Sequence, residues 1–579
     1  MSNTPTFYNF LIVISGLTSK NYIFLVEPKE PYEKKPLKNE TNANLRSISY
    51  SPKGAYLAVR TDKKVEILRT SDWSVTAKIE GNIKEMAFTP LDTYLMVFEL
   101  FSMTKEHPQG KPNIGVYRSS NGELVGSFTQ KAQIGWEPQW SSDEKLCAIQ
   151  ANNTVTVYED SKLDRYLQKF STDKLKSFSM SPSAAPVYYL SVFTIGKPGQ
   201  PSFWRVYKYP NFGINDAVVS RSSFQADKVS FKWNRRGTNL LAMTQTDVDK
   251  TGGSYYGKQS LSYGDVKGNS GNVVFSKEGP IHATAWNPGN SNEWVAVYGH
   301  APAKATVFNA KCEPLFEFGT GAWNSIYFPP EGTHVLLGGF GNIATGSVEV
   351  WDLRGYKKLG QCSAPDTTYL EWDPRGETFV TATTYPRLVE GNGYKIWHYT
   401  GILMHKSVCP EKENILSVTW KPGTYAKTEL SKSAPEGIVD STPKPMGAYR
   451  PPSARNKPST FTFHEHEKPH KPGDTPTAAP SKQAQKQKEK REARKARKAE
   501  EKASGDVTEV ASAPLSSRPP FVSTGDPEKD KKIKNINKKL SDIDKLKQQK
   551  ASGKQLELNQ LAKIDNEPAL LKELEQLRL

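Results

Sequence analysis

Residues 371–381 read EWDPRGETFVT: an apolar run ending in an aromatic residue, a Pro-x-Gly turn and a second apolar run. This pattern is typical of a β-hairpin, in which a tight turn joins two strands. The pattern recurs along the chain, and its copies begin at Tyr50, Phe88, Trp140, Met180, Trp233, Trp286, Phe328, Trp372 and Trp420. The repeat, more than any single copy, decides the fold.

The spacing of the copies indicates the size of one structural unit. The first and last copies begin at Tyr50 and Trp420, which gives a mean period of about 46 residues, the length of a four-stranded propeller blade. One period, residues 45–79, contains four short apolar runs, LRSISY, YLAV, VEIL and VTAKI. The sequence therefore predicts an all-β fold, a β-propeller.

The two ends of the repeat region are incomplete in complementary ways. The copy at Trp420 lacks its later strands, whereas the first 40 residues hold two strand-like runs, FYNFLIVIS and YIFLVE, with no preceding hairpin. Joining both ends into one blade removes exposed strand edges. We predict a nine-bladed propeller over residues 1–430, closed by N- and C-terminal strands. Eight blades plus an extra hairpin is the alternative.

Five tryptophans occupy the aromatic position before a turn. We interpret them as structural residues of the blade turns that pack between blades and need not touch a ligand. They are Trp140, Trp233, Trp286, Trp372 and Trp420.

Charge and aromatic residues divide the chain at about residue 428. The net charge is +17, and residues 428–579 hold 31 Lys+Arg against 22 Asp+Glu, a net +9. The other 427 residues hold the remaining 47 and 39, a net +8, and all 12 Trp. A segment without large apolar side chains cannot offset the entropy lost on ordering. We therefore expect a globular N-terminal part and an extended C-terminal part.

Composition divides the C-terminal part of the chain into four segments. Residues 431–480 are predicted to be a disordered Pro-rich linker, 481–503 a basic helical segment, 504–525 a second linker, and 526–579 a basic amphipathic helical hairpin. In the last segment Ile533, Ile536, Leu540 and Ile543 follow helical spacing. The predicted fold thus ends in C-terminal α-helices.

Basic residues in two of these segments are candidates for RNA or ribosome binding. Residues 482–502 hold ten Lys+Arg against four Glu and have almost no apolar face. This run is compatible with a solvated helix, a phosphate-binding arm or a nuclear import signal. The lysines of residues 531–550 form an electrostatic footprint for a polyanion. The candidates are Lys482, Lys486, Lys488, Lys490, Arg491, Arg494, Lys495, Arg497, Lys498, Lys531, Lys532, Lys534, Lys538, Lys539, Lys545 and Lys547.

Signals for catalysis, nucleotides or metals are weak. Gly252 and Gly257-Lys258 have P-loop spacing, but Gln259 stands where Ser or Thr would hold Mg²⁺, and the flanks read as strands. The histidines of HEHEKPH at 464–470 read as linker residues. The four cysteines form no C-x-x-C pair and read as free thiols. We expect a non-enzyme without cofactor or metal. Since the apolar start lacks a basic n-region, we also expect a cytoplasmic protein outside the membrane.

Several stretches of the sequence together resemble the eukaryotic translation initiation factor 2A family. They are TDVDKTGGSYYGKQSL, FGTGAWNSIYF, NGYKIWHYTG, GAYRPPSARNKP and DPEKDKKIKNINKKL. The resemblance implies a factor that associates with the small (40S) ribosomal subunit and its rRNA. It further implies codon-dependent, GTP-independent binding of initiator methionyl-tRNA on selected mRNAs, alongside other initiation factors. The alternative is a WD-repeat protein–protein scaffold of ribosome or mRNP complexes without direct tRNA contact.

Overall fold

The computed structural model describes most of the first 439 residues and a few positions beyond them. The described residues are 11–17, 20–27, 29–38, 45–197, 199–224, 226–247, 257–289, 291–341, 344, 346–410, 413–423, 425, 430–431 and 434–439, with 536, 540, 543, 547, 567, 568 and 571.

The described elements are β-strands apart from one 3-10 turn at Ile214–Asp216. The first strands are β1 Leu11–Leu17, β2 Lys20–Val26, β3 Lys34–Lys38, β4 Leu45–Tyr50, β5 Tyr56–Thr61, β6 Lys64–Arg69, β7 Val75–Glu80, β8 Ile83–Phe88, β9 Tyr94–Glu99, β10 Ile114–Arg118, β11 Leu124–Phe128, β12 Gln139–Trp140, β13 Leu146–Ala151, β14 Thr154–Glu159, β15 Gln168–Ser171, β16 Leu175–Met180, β17 Tyr189–Thr194 and β18 Ser202–Lys208. The others are β19 Ala217–Ser223, β20 Lys228–Trp233, β21 Asn239–Gln245, β22 Gln259–Asp265, β23 Ser270–Asn272, β24 Ile281–Trp286, β25 Trp294–Tyr298, β26 Ala303–Phe308, β27 Pro314–Gly321, β28 Ser325–Tyr327, β29 His334–Gly338, β30 Ser347–Asp352, β31 Lys358–Ser363, β32 Tyr369–Trp372, β33 Thr378–Thr383, β34 Gly393–His398, β35 Leu403–Val408 and β36 Asn414–Trp420.

These strands form nine four-stranded antiparallel sheets. Eight of them take four consecutive strands, from β4–β7 through β32–β35. The remaining sheet has the order β3-β2-β1-β36, so it is assembled from both ends of the repeat region. β36 contacts the first strands of the two sheets beside it, β32 and β4. The sheets therefore form a closed ring.

The apolar core lies between neighbouring sheets. One buried cluster joins Met96 and Val116 of the β8–β11 sheet to Trp140 and Ile149 of the β12–β15 sheet. Another joins the β28–β31 sheet to the β32–β35 sheet and includes Trp372. Each blade thus buries both faces against its neighbours, which gives strands that are apolar on both sides, such as β25, WVAVY.

The fold class predicted from the sequence is wrong in one respect. The prediction included C-terminal α-helices, but no α-helix is among the elements of the described residues. Beyond residue 439 only seven positions are described; they have helical backbone, and Ile536, Leu540 and Ile543 among them are buried. The fold class of the described chain is all-β.

The predicted count of nine blades is also corrected. Eight blades are continuous, and the sheet that closes the ring is composite. It takes three strands from the N-terminal side, where the sequence predicted two. The copy at Trp420 is no hairpin, because β36 ends there and pairs with β1, Leu11 opposite Trp420. The physical reason is that this copy supplies one strand only, so the other three come from the opposite end.

Among the residues that the structure describes, no helix has the length and apolar character needed to cross a bilayer.

Candidate functional site

The turns between the first and second strands of the sheets lie on one face of the ring, because all sheets share one strand order. We call them the turn ring. It comprises residues 51–55, 89–93, 141–145, 181–188, 234–238, 287–289, 291–293, 328–333 and 373–377, completed by 421–423 and 425 after β36. Contacts link each turn to the next: Ser51 with Asp92, Leu91 with Glu144, Asp143 with Ala185, Ser183 with Gly237, Asn234 with Asn292, Asn287 with Gly332, Pro329 with Gly376, Arg375 with Tyr425, and Pro422 with Gly54.

Asp92 joins two of these turns through three hydrogen bonds. One carboxylate oxygen accepts from Ser51 Oγ at 2.7 Å and from the Ala55 N–H at 3.0 Å. The other accepts from the Lys53 N–H at 2.8 Å. The side chain is only 4% exposed. Since hydrogen bonds to a carboxylate are stronger than neutral ones, Asp92 fixes the β4–β5 turn against the β8–β9 turn.

Glu144 repeats this arrangement one blade further along. Its Oε1 accepts the N–H of Leu91 at 2.5 Å, so the β12–β13 turn binds the β8–β9 turn. Glu144 and Asp92 occupy the same position of their turns and share a left-handed backbone, with φ of 57° and 69°. Both carboxylates therefore point back towards the preceding turn.

In four other turns the same position holds glycine. Gly54, Gly237, Gly332 and Gly376 have φ between 65° and 77°, a conformation that costs glycine little. A Cβ on Gly54 would lie 2.0 Å from the carbonyl oxygen of Pro422. In these six turns the position faces the preceding turn, with an acid that bonds to it or a glycine that lets the backbones approach.

Asp143 bonds in the opposite direction, to the following turn. One of its oxygens accepts from the Ala185 N–H and from Tyr188 Oη, both at 2.9 Å. Burial alone would raise the pKa of Asp143, but these bonds and that from Ser141 Oγ hold the pKa below its ordinary value. Asp143 is therefore ionised at neutral pH and keeps the two turns together.

Glu371, the first residue of EWDPRGETFVT, secures the composite sheet. Its Oε2 accepts from the Trp420 N–H at 2.9 Å and from Tyr369 Oη at 2.7 Å. Burial raises the pKa of Glu371 despite these bonds. The carboxylate thus links β32 to β36, where the ring closes.

The five tryptophans singled out from the sequence all end the first strand of a sheet. Three of them reach the preceding sheet through the indole N–H: Trp140 to Met96 Sδ, Trp286 to the Lys232 carbonyl and Trp372 to the Tyr327 carbonyl. Trp233 and Trp420 occupy the corresponding positions of β20 and β36. The structure therefore places this set at the sheet boundaries and gathers it into no single site.

The basic residues singled out from the sequence lie almost entirely outside the described residues. The exception is Lys547, which is exposed and pairs with Glu567. The histidines of HEHEKPH also lie outside. Within the described part of the chain, no group of His, Cys, Asp and Glu is arranged to hold a metal ion.

The P-loop-like stretch lacks the surroundings of a phosphate site. Gln259 begins β22, so a strand follows Lys258 where a helix N-terminus would be needed. Gly257 has a φ of 72° and approaches the Thr246 carbonyl. The stretch belongs to a connection between β21 and β22.

Sequence reasoning did not find the turn-ring carboxylates. Asp92 and Glu144 stand where other copies have glycine, and only the backbone angle reveals the shared position. A basic residue precedes that position in SPKG, NRRG and DPRG, a signal that is visible in the repeat itself.

The closed ring of sheets and its interlocked turns define a β-propeller protein. Two family models match the chain: "Eukaryotic translation initiation factor eIF2A" over residues 221–415 and "Eukaryotic translation initiation factor 2A C-terminal domain" over residues 531–577. Proteins named eukaryotic translation initiation factor 2A from Drosophila melanogaster and Schizosaccharomyces pombe are 35% and 32% identical. The matches cover 95% of this chain and 95% of the fly protein, and 96% and 97% for the yeast protein.

A solved structure agrees with these matches. The structure described as "Crystal structure of the eukaryotic initiation factor" is 31% identical, with a TM-score of 0.64 over 72% of this chain and 100% of that chain. The chain belongs to the eukaryotic translation initiation factor 2A family.

Proposed function

We propose that this translation initiation factor binds the small (40S) ribosomal subunit and promotes binding of initiator methionyl-tRNA on selected mRNAs, in a codon-dependent and GTP-independent way. The observation that carries the proposal is the match of residues 531–577 to the family's C-terminal domain, since this stretch holds a lysine cluster. Its partners would be rRNA, the initiator tRNA, mRNA and other initiation factors, in the cytoplasm.

Charge supplies the physical basis for subunit binding. The candidate residues in 482–502 and 531–547 would contact rRNA phosphates, which gives affinity without sequence specificity. Two basic segments on one chain raise each other's effective concentration, so weak individual contacts suffice. The propeller would be the rigid platform that they tether.

The stretch around Gly257 supports independence from GTP. It lacks the Ser or Thr that holds Mg²⁺, and a strand follows it. We infer that the factor acts by binding, without an enzymatic step.

Deletion of residues 440–579 tests the proposal. The cut follows residue 439 because Leu430 packs against the propeller core and the Ile438 N–H donates to the Leu403 carbonyl at 2.8 Å. The truncated chain should remain folded and lose co-sedimentation with purified 40S subunits. As a control, removal of residues 503–525 keeps the lysine and arginine candidates and should preserve binding. Undiminished binding by the truncated chain would refute the proposal and favour the protein–protein scaffold.

A further inference from the structure

The turn ring presents cations at its surface. Lys53, Arg235, Arg236 and Arg375 are exposed, and each precedes a left-handed glycine by one or two residues. Lys421, which follows β36, is half-buried, and burial lowers its pKa. These residues come from sheets spread around the ring, and the interlocked turns hold their backbones in fixed positions.

Three carboxylates of the same turns point away from the surface. Asp92, Glu144 and Asp373 are buried, and backbone N–H groups satisfy them. Asp373 Oδ1 accepts from the N–H groups of Arg375 and Gly376, both at 2.7 Å. Because backbone N–H groups donate hydrogen bonds to these three carboxylates, the carboxylates form no salt bridge with the cations beside them.

Several ion pairs lie away from the centre of the turn ring. At the rim of the same face, Arg118 pairs with Glu123 at 3.1 Å. On the opposite face, Arg46 pairs with Asp62 at 2.5 Å and Lys228 with Asp247 at 2.7 Å. At the centre of the turn face, Asp92, Glu144 and Asp373 instead accept hydrogen bonds from backbone N–H groups.

Two arginines are already oriented by neighbouring turns. The Arg375 guanidinium lies 5.8 Å from the ring centroid of Tyr425, and Arg235 donates to the Pro288 carbonyl at 3.0 Å. A guanidinium fixed in this way can still bond a phosphate with its remaining N–H groups. Tyr425 beside Arg375 adds an aromatic surface, which favours a nucleic acid over an acidic peptide.

We propose that the centre of the turn ring binds phosphate groups of RNA through Lys53, Arg235, Arg375 and Lys421. This inference rests on the proposed function, because the ribosomal subunit and the tRNA supply the RNA. The propeller would thus contact RNA with the face that carries the turn ring, and not with the opposite face.

The test compares two full-length variants that each lose four positive charges. The turn-ring variant carries Lys53→Gln, Arg235→Gln, Arg375→Gln and Lys421→Gln. The control changes exposed lysines of the opposite face, Lys105→Gln, Lys111→Gln, Lys131→Gln and Lys176→Gln. Both should unfold at the wild-type temperature. The probe is a fluorescein-labelled, unstructured 20-nucleotide RNA, and its anisotropy gives affinity from 50 to 200 mM salt.

The turn-ring variant should bind more weakly at 50 mM salt, by about tenfold or more. The slope of log affinity against log salt should fall by about 3, since each single-strand phosphate contact contributes about 0.7. The control should keep the wild-type slope. Equal slopes in both variants would overturn the inference, as would weakened binding of a polyglutamate probe with unchanged RNA binding, which would indicate an acidic protein partner.

Sedimentation with 40S subunits separates this inference from the proposed function. If the wild-type chain binds subunits while the two variants bind RNA equally, this inference alone fails. If the wild-type chain does not bind subunits, the proposed function fails whatever the RNA slopes are.

Discussion

The Asp92 carboxylate accepts a hydrogen bond from Ser51 Oγ at 2.7 Å, across the boundary between the β4–β7 and β8–β11 sheets. Neighbouring sheets of a propeller share no strand hydrogen bonds, so apolar packing and contacts of this kind hold them in register. The turn ring repeats such contacts around the ring, which explains why one turn position is an acid or a glycine in six of the turns.

Replacement of Asp92 by alanine should destabilise the propeller by about 2–4 kcal/mol. The change leaves Ser51 Oγ and two backbone N–H groups without their acceptor at a buried boundary. Urea unfolding followed by tryptophan fluorescence measures the loss. Glu106→Ala, an acid removed from an exposed loop, is the control and should change stability by less than about 0.5 kcal/mol. Equal stabilities of the two variants would contradict the role of Asp92.

Gly376→Ala should lower the free energy of unfolding by more than the backbone angle alone explains. The residue has a φ of 75°, and an added Cβ would lie 2.8 Å from Pro329 Cβ. Gly391 has a φ of 70° with open space around it, so Gly391→Ala carries the backbone strain without the contact. In urea unfolding, we expect a loss of about 1 kcal/mol in the free energy of unfolding for Gly391→Ala and at least twice that loss for Gly376→Ala. A matched loss in both would show that the turns are not closely packed.

Protonation of His334 should weaken the fold in mild acid. His334 is 1% exposed and packs edge-on against Trp372, and burial lowers its pKa to about 4. Because the unfolded chain has a pKa near 6.5, it binds the proton more readily, so stability is lost as pH falls from about 6.5 to about 4.

The variant His334→Gln isolates this contribution. Between pH 7.5 and pH 5 the wild type should lose about 2 kcal/mol more than the variant, as measured by urea unfolding at both pH values. Parallel losses in the two proteins would show that His334 does not carry the effect.

Ring closure should depend on β1. In the composite sheet β1 lies between β36 and β2, and it pairs with both. Deleting residues 1–17 removes this strand and opens the ring, so the melting temperature should fall by about 10 °C or more. The chain ending at residue 439 is the control and should melt within about 2 °C of the full chain. An unchanged melting temperature without β1 would mean that the ring does not need this closure.

The repeat could be predicted from sequence because its signals are local. Trp372 ends an apolar run and Gly376 follows a proline turn, and both features act over a few residues. That strands from both ends of the repeat region form one sheet could also be predicted, because the last copy stops after one strand. That Leu11 lies opposite Trp420 could not, because the register depends on a pairing across the whole ring.

The candidate site was harder to predict. The bonds of Asp92 and Glu144 reach 37 to 53 residues along the chain, and an acid in a turn usually signals only a solvated surface. Whether Arg375 faces solvent or an acid depends on the orientation of Asp373, which the letters DPRG do not reveal. The lysines of residues 482–545 lie outside the described residues, so their binding role stays a prediction.

The most direct measurement is a residue-resolved map of RNA–protein crosslinks in the complex of the full chain with 40S subunits. We predict rRNA crosslinks to residues 482–502 and 531–550, with further RNA crosslinks at the turn ring near Arg235 and Arg375. A map with crosslinks to ribosomal proteins alone, and none to RNA from these segments, would contradict it.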